Sequence, residues 1–179
     1  HLLAPSYHTQ TLKSTLLAPR WKIFCLLFLI VVLLGACTPQ EEELPFETIE
    51  QADYSPKYED KEPGLVIIAS ADETDQLDGW VSPEAMKQLY EIDYESYFAV
   101  IVFLGWQPTG HEGIRIERTV RQDNTVSIYA LVGRPTGETR VSSPYHLVKI
   151  RKIGRWGTSI NFALVIEETT VASESHHVP

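Results

Sequence analysis

Phe98-Ala99-Val100-Ile101-Val102-Phe103-Leu104 is apolar at every position. A strand with one wet face alternates apolar and polar residues, so an unbroken apolar run of this length reads as a strand covered on both faces. The chain is therefore expected to build a sheet around 98–104, with this segment at its centre.

The pattern changes on either side. Downstream, Ile114, Ile116 and Val120 alternate with Arg115, Glu117 and Arg121, the mark of a half-exposed strand. Gln122-Asp123-Asn124-Thr125 is a turn. Val126, Ile128 and Ala130 then return on one face with Tyr129 and Leu131 on the other, which completes a hairpin. Gly133-Arg134-Pro135-Thr136-Gly137 opens a second loop, 145–150 and 161–166 are the last strands, and 172–179 reads as a frayed tail. Upstream, Leu65-Val66-Ile67-Ile68-Ala69 is a short buried strand and 53–64 is turn-rich and charged. Phe46 and Ile49 mark a further strand over 45–50. Ser70-Ala71-Asp72-Glu73 fits a capping box that starts a short helix ending near Gly79. Ser82-Pro83 starts a second helix, with Met86, Leu89 and Tyr90 on a core-facing side. The expected fold is α+β, a predominantly antiparallel, sandwich-like β-sheet with one or two short helices in the N-terminal half. It forms one globular domain over 45–171.

Residues 23–34 are an apolar run of 12 that ends in Leu34-Gly35-Ala36-Cys37, with Arg20 and Lys22 before it. Twelve residues span only ~18 Å as a helix, short of the ~30 Å of a bilayer core. The layout is that of a secretory signal with a lipobox. Small residues leave the backbone open to a peptidase, and the Cys37 thiolate is the nucleophile that accepts lipid. Residues 1–36 are thus expected to be a signal peptide. Its first 19 positions read as an over-extended start, because the single Met of the chain is Met86. Residues 37–44, with Glu41, Glu42 and Glu43, are expected to be a hydrated tether. The expected location is the bacterial cell envelope, with membrane contact through the lipid anchor only.

From Cys37 onward the chain holds 12 basic and 24 acidic residues, a net charge of −12. That balance argues against nucleic acid and against a basic membrane-docking helix. Cys37 is the only cysteine of this part, so no internal disulfide and no cysteine zinc site is expected.

Several stretches together resemble the PrcB family of protease-complex lipoproteins. They are the apolar strand at 98–104, the loop Gly105-Trp106-Gln107-Pro108-Thr109-Gly110, the hairpin, and Ser142-Ser143-Pro144-Tyr145-His146. The resemblance covers roughly 45–152. It implies a non-catalytic, protein-binding subunit that assembles or stabilises a surface subtilisin-like protease complex. The partner-binding residues expected under it are Gly105, Trp106, Gln107, Pro108, Thr109, Gly110, Ser143, Pro144 and Tyr145. The family pattern runs Pro-Thr-Gly-Gly-Tyr, whereas His111-Glu112-Gly113 follows here, so a role carried by that aromatic does not transfer. The Pro-Thr-Gly loop is also similar to the loops of chagasin-like protease inhibitors, which keeps inhibition open. Exposed aromatics keep a cell-wall or carbohydrate-binding module open.

Other chemistries fit less well. Gly105 and Gly110 have the spacing of a phosphate loop, but His111-Glu112 stand where Lys and Ser or Thr belong. His111, Glu112 and His146 show no convergence of three or four ligands, and no metal or cofactor is expected. Ser143 and His146 suggest a nucleophile and its base, but no orienting carboxylate is evident and no Gly-x-Ser-x-Gly elbow occurs. Trp106 and Trp156 read either as partner anchors or as caps on the core. Arg115, Arg118 and Arg121 read as a solvated face.

Overall fold

The structure, a computed structural model, describes residues 41–110 and 112–179. The signal peptide and lipobox expected over 1–37 lie outside the described residues. So does His111.

Among the described residues, nine strands form two sheets. The first sheet contains β1 (Glu42–Glu43), β5 (Ile114–Gln122), β6 (Thr125–Val132), β8 (Thr158–Ile166) and β9 (Thr169–Val178), in the order β1-β5-β6-β8-β9. The second contains β2 (Phe46–Ala52), β3 (Gly64–Ile68), β4 (Tyr97–Phe103) and β7 (Tyr145–Arg151), in the order β2-β7-β4-β3. All pairs are antiparallel except β6 with β8, which are parallel because β7 crosses to the other sheet between them. The fold is an α+β sandwich in which β predominates.

β4 explains its own composition. Phe98, Val100 and Val102 point between the sheets and meet Ile116, Ile128, Phe162 and Leu164 in one core. Ala99, Ile101 and Phe103 point the other way, into a second core. That core is closed by a 3-10 segment (Ala71–Leu77) and by helix α1 (Pro83–Tyr90). From Phe98 to Phe103 neither face of β4 sees water, so neither carries a polar residue.

The helical starts differ. Ser82 caps α1 as expected, its hydroxyl accepting from Ala85 N–H at 3.1 Å, with Pro83 in the first turn. Ser70 makes no side-chain cap. Instead Glu73 reaches back one residue further, and its carboxylate accepts from Ala69 N–H at 2.7 Å. Leu89 is buried and Met86 packs against the same core, but Tyr90 is exposed and its hydroxyl donates to Asp75.

Two expected boundaries move. The acidic tether does not run to Leu44. Glu42 and Glu43 pair with Arg121 and Val120, and Leu44 is buried between the sheets. Leu44 N–H donates to Thr119 O at 2.9 Å, and the Thr119 hydroxyl donates to Leu44 O at 2.6 Å. One residue later, Pro45 O accepts from Arg151 N–H in the second sheet. β1 and β2 are thus one run of chain that changes sheets at Pro45, a device that closes a sandwich corner. Thr119→Val is expected to lower stability by about 1–2 kcal/mol, because it strips a buried carbonyl of its donor; urea unfolding checks this.

The supposed tail, 172–179, is most of β9. Its residues 169–178 pair along all of β8, and Val178 is fully buried. His176 sits 3.1 Å from Glu73 and 3.7 Å from Glu174, which ties the strand to the 3-10 segment.

β5 carries a bulge between Ile116 and Arg118. Strict alternation would turn Arg118 inward with Ile114 and Ile116. The extra residue sends Arg118 out, where its guanidinium lies 3.9 Å over the Tyr129 ring, and turns Thr119 in. Arg115 and Arg118 are exposed as expected; Arg121 is not free, for reasons given below.

Candidate functional site

Strand direction sorts the loops into two poles. β4, β6 and β8 end, and β5, β7 and β9 begin, at the pole that holds 53–63, 104–113 and 133–144. The chain enters at the other pole, where Glu42 pairs with Arg121. Nine residues of β5 separate the two by about 30 Å.

At the far pole the two expected loops lie side by side. Leu104 N–H donates to Pro144 O at 2.9 Å. Gln107 and Ser142 exchange N–H···O bonds of 2.8 and 3.0 Å. Further out, Gly110 N–H donates to Glu138 O at 3.0 Å, Thr136 N–H to Gly110 O at 2.8 Å, and Glu112 N–H to Arg134 O at 3.0 Å. The Ser142 hydroxyl donates to Thr109 O at 2.9 Å. A third segment joins them: Ser143 N–H donates to Asp53 O and Ser55 N–H to Ser143 O, both at 3.0 Å, and Trp106 N–H donates to Asp60 O at 2.7 Å. Gly105 is required where 104–106 passes 60–62. Its φ is +89°, and a Cβ there would sit 2.4 Å from the Lys61 carbonyl oxygen.

This zipper decides which expected residues face outward. Trp106 is 37% exposed and Pro108 is also open to solvent. Gln107 and Thr109 are half-buried, and Gly105 and Gly110 are buried. Ser143, Pro144 and Tyr145 are buried too and form the mount of the loops. The Ser143 hydroxyl donates to Tyr58 O at 3.2 Å, and the Tyr145 hydroxyl to the Glu50 carboxylate at 2.5 Å. Burial and that carboxylate together push the Tyr145 phenol far above its ordinary range.

Two exposed apolar residues were missed by sequence reasoning. Tyr54 is 54% exposed and Val141 45% exposed. Tyr54 bridges Ser143 and Val141 precedes Ser142, so both border the segment to which the Trp106–Gln107 strip is bonded. An aromatic or β-branched residue inside a polar, turn-rich stretch was the available signal. Arg140 flanks them, paired with Glu138 at 2.8 Å and Asp53 at 3.4 Å.

His146 and Ser143 are not brought together. His146 is 2% exposed and points between the sheets. Its Nδ1 accepts from Ile116 N–H at 2.9 Å, which leaves the ring proton on Nε2 for donation to the Thr48 hydroxyl, also at 2.9 Å. Gln51 Nε2 donates to Ile114 O at 3.1 Å beside it. These side chains satisfy the edge of β5 that β1 leaves bare, and close the corner above the Pro45 crossing. Burial, helped by Arg115, pushes the His146 imidazole down to about 4.

Among the described residues no three His, Cys, Asp or Glu side chains gather as a metal site, and no helix is long and apolar enough to cross a membrane. Trp156 packs on Phe98 with ring centres 5.1 Å apart, which makes it a cap on the core. Comparison with protein-family models, with curated proteins and with solved structures gives no match.

Proposed function

We propose that this chain is a cell-envelope lipoprotein, anchored through Cys37, whose domain acts by binding another protein and catalyses nothing itself. One observation carries the reading. Tyr54, Trp106 and Val141 stand exposed around a single backbone-bonded strip, at the pole opposite the chain's entry. Aromatic side chains on a rigid mount are what interface hot spots are made of. A strip already fixed by backbone hydrogen bonds loses little entropy when it docks. Anchoring at one pole leaves the other free to meet a partner and raises its effective concentration there. The resemblance to the PrcB family makes a surface subtilisin-like protease, or another subunit of its complex, the expected partner.

Site-specific photocrosslinking on intact cells tests this. A crosslinker at position 106 or 141 is expected to give one discrete adduct with an envelope protein, and one at exposed Ser159 none. Trp106→Ala with Tyr54→Ala is expected to weaken retention of that protein at least ~30-fold, the size of a lost hot spot. Equal adducts from all three positions, or none from 106 and 141, would sink the proposal.

A further inference from the structure

One segment at the entry pole is basic although the chain as a whole is acidic. Residues 139–166 contain no Asp or Glu but hold Arg140, Lys149, Arg151, Lys152 and Arg155. Three of these lie at the end of β7 and in the loop that joins it to β8, Arg151-Lys152-Ile153-Gly154-Arg155-Trp156-Gly157.

The loop is built. Arg121 reaches across from β5 and donates to the carbonyls of Asp123, Ile153 and Arg155 at 3.1, 3.3 and 2.7 Å. Its guanidinium lies 4.2 Å over the Trp156 ring, and Trp156 Nε1 donates to Ile153 O at 2.8 Å. Lys152 is turned inward and donates to the carbonyls of Tyr94 and Pro179. That leaves Arg151 and Arg155 exposed, with no carboxylate within 4.0 Å among the described residues. Asp93 and Glu95 line the adjoining cleft of about 680 Å³. Asp93 is held by its neighbours: it accepts from Glu95 N–H at 3.1 Å, and the Ser96 hydroxyl keeps its carboxyl below the usual range. Glu42 of β1 borders the loop, its carboxylate 3.7 Å from where a Cβ on Gly154 would sit, beside the Arg121 guanidinium.

Only residues 38–41 separate Cys37 from β1. Fully extended they reach ~14 Å, little more than the ~8–10 Å over which charge acts in physiological salt. Resting on Cys37 as the anchor, we infer that loop 151–157 is a headgroup-docking surface, where Arg151 and Arg155 contact the phosphates of anionic phospholipid. Each guanidinium offers a fork of donors that matches a phosphate. Bound this way, Arg151 and Arg155 face the membrane and the Trp106 pole points outward. The acidity of the whole chain opposes adsorption of the free domain, so the contact forms only once the anchor has brought this pole to the surface.

Residues 39–179 form one compact unit that contains both cores and every strand partner, so 37–179 serves as the test protein. Its sole thiol, Cys37, is coupled to a maleimide lipid in vesicles of phosphatidylcholine alone or with one-third phosphatidylglycerol. Amide exchange at residues 153–156 is expected to be at least threefold slower on the anionic vesicles. The difference is expected to vanish in R151E/R155E and to persist in R134E, which alters an exposed arginine of the far pole. Equal exchange on both vesicles, or slowing that survives R151E/R155E, overturns the inference. Because the coupling is chemical, that result is independent of whether cells acylate Cys37. The mass of the protein recovered from cell membranes answers the latter.

Discussion

A chain stopped after Val171 is expected not to fold. Read from sequence alone, 172–179 is a frayed tail; in the structure it is seven residues of β9 and the residue beyond. Removing it exposes the edge of β8, whose Ile160, Phe162 and Leu164 belong to the core between the sheets. It also removes Val178, which contributes about 1.5–3 kcal/mol of apolar burial. The bond from Gly157 N–H to Val178 O and the tie from His176 to Glu73 go with it. Together these approach the whole 5–15 kcal/mol that holds a domain folded. Circular dichroism of 39–171 should show lost strand signal and no cooperative melt. A truncated chain that melts within a few degrees of 39–179 would show that β9 is peripheral.

Stability is expected to fall by about 3 kcal/mol between pH 7 and pH 4 through His146 alone. Its imidazole titrates near 4 in the folded chain and near 6.5 when unfolded. Between those values the unfolded state binds a proton that the folded state refuses, so stability declines as pH drops below about 6.5 and levels off below about 4. Each pKa unit is worth about 1.4 kcal/mol. Glu174 acts in the opposite sense. Burial raises its carboxyl, so the folded state takes up a proton more readily there and recovers a little stability in acid. His146→Gln keeps a polar side chain but cannot titrate. Urea unfolding across this range should find the variant less stable at pH 7 and markedly flatter with pH. Equal slopes in both proteins would remove His146 as the cause.

Legibility followed how each residue meets its neighbours. β4 was readable because both its faces meet core, so composition alone marks it. The 122–125 turn was readable because Asp123, at φ +53°, adopts a backbone that Asp tolerates. β9 was not readable. It is an edge strand whose inward positions are Ala172, Glu174, His176 and Val178, and His176 finds its partner in Glu73, about a hundred positions away. Inward charges on an edge discourage further pairing, and they also erase the alternation that a sequence scan seeks. His146 was legible as a strand residue but not as the closure of a corner, because its partners Thr48 and Ile116 come from two other strands. Of the far-pole strip, Trp106 and its loop were visible in sequence. The burial of Ser143, Pro144 and Tyr145 was not, since it depends on 53–58 folding over them.

The crossing at Pro45 has a mechanical meaning. A pull on residue 41, opposed by a partner gripping the far pole, runs along the strand axes. Ladder hydrogen bonds stand perpendicular to that axis, so those joining β1 to β5 and β2 to β7 are strained side by side and do not unzip in turn. Because one strand is stitched into both sheets, tearing it loose means shearing two ladders together, and the domain should resist tugging far better than its two-residue first strand would suggest.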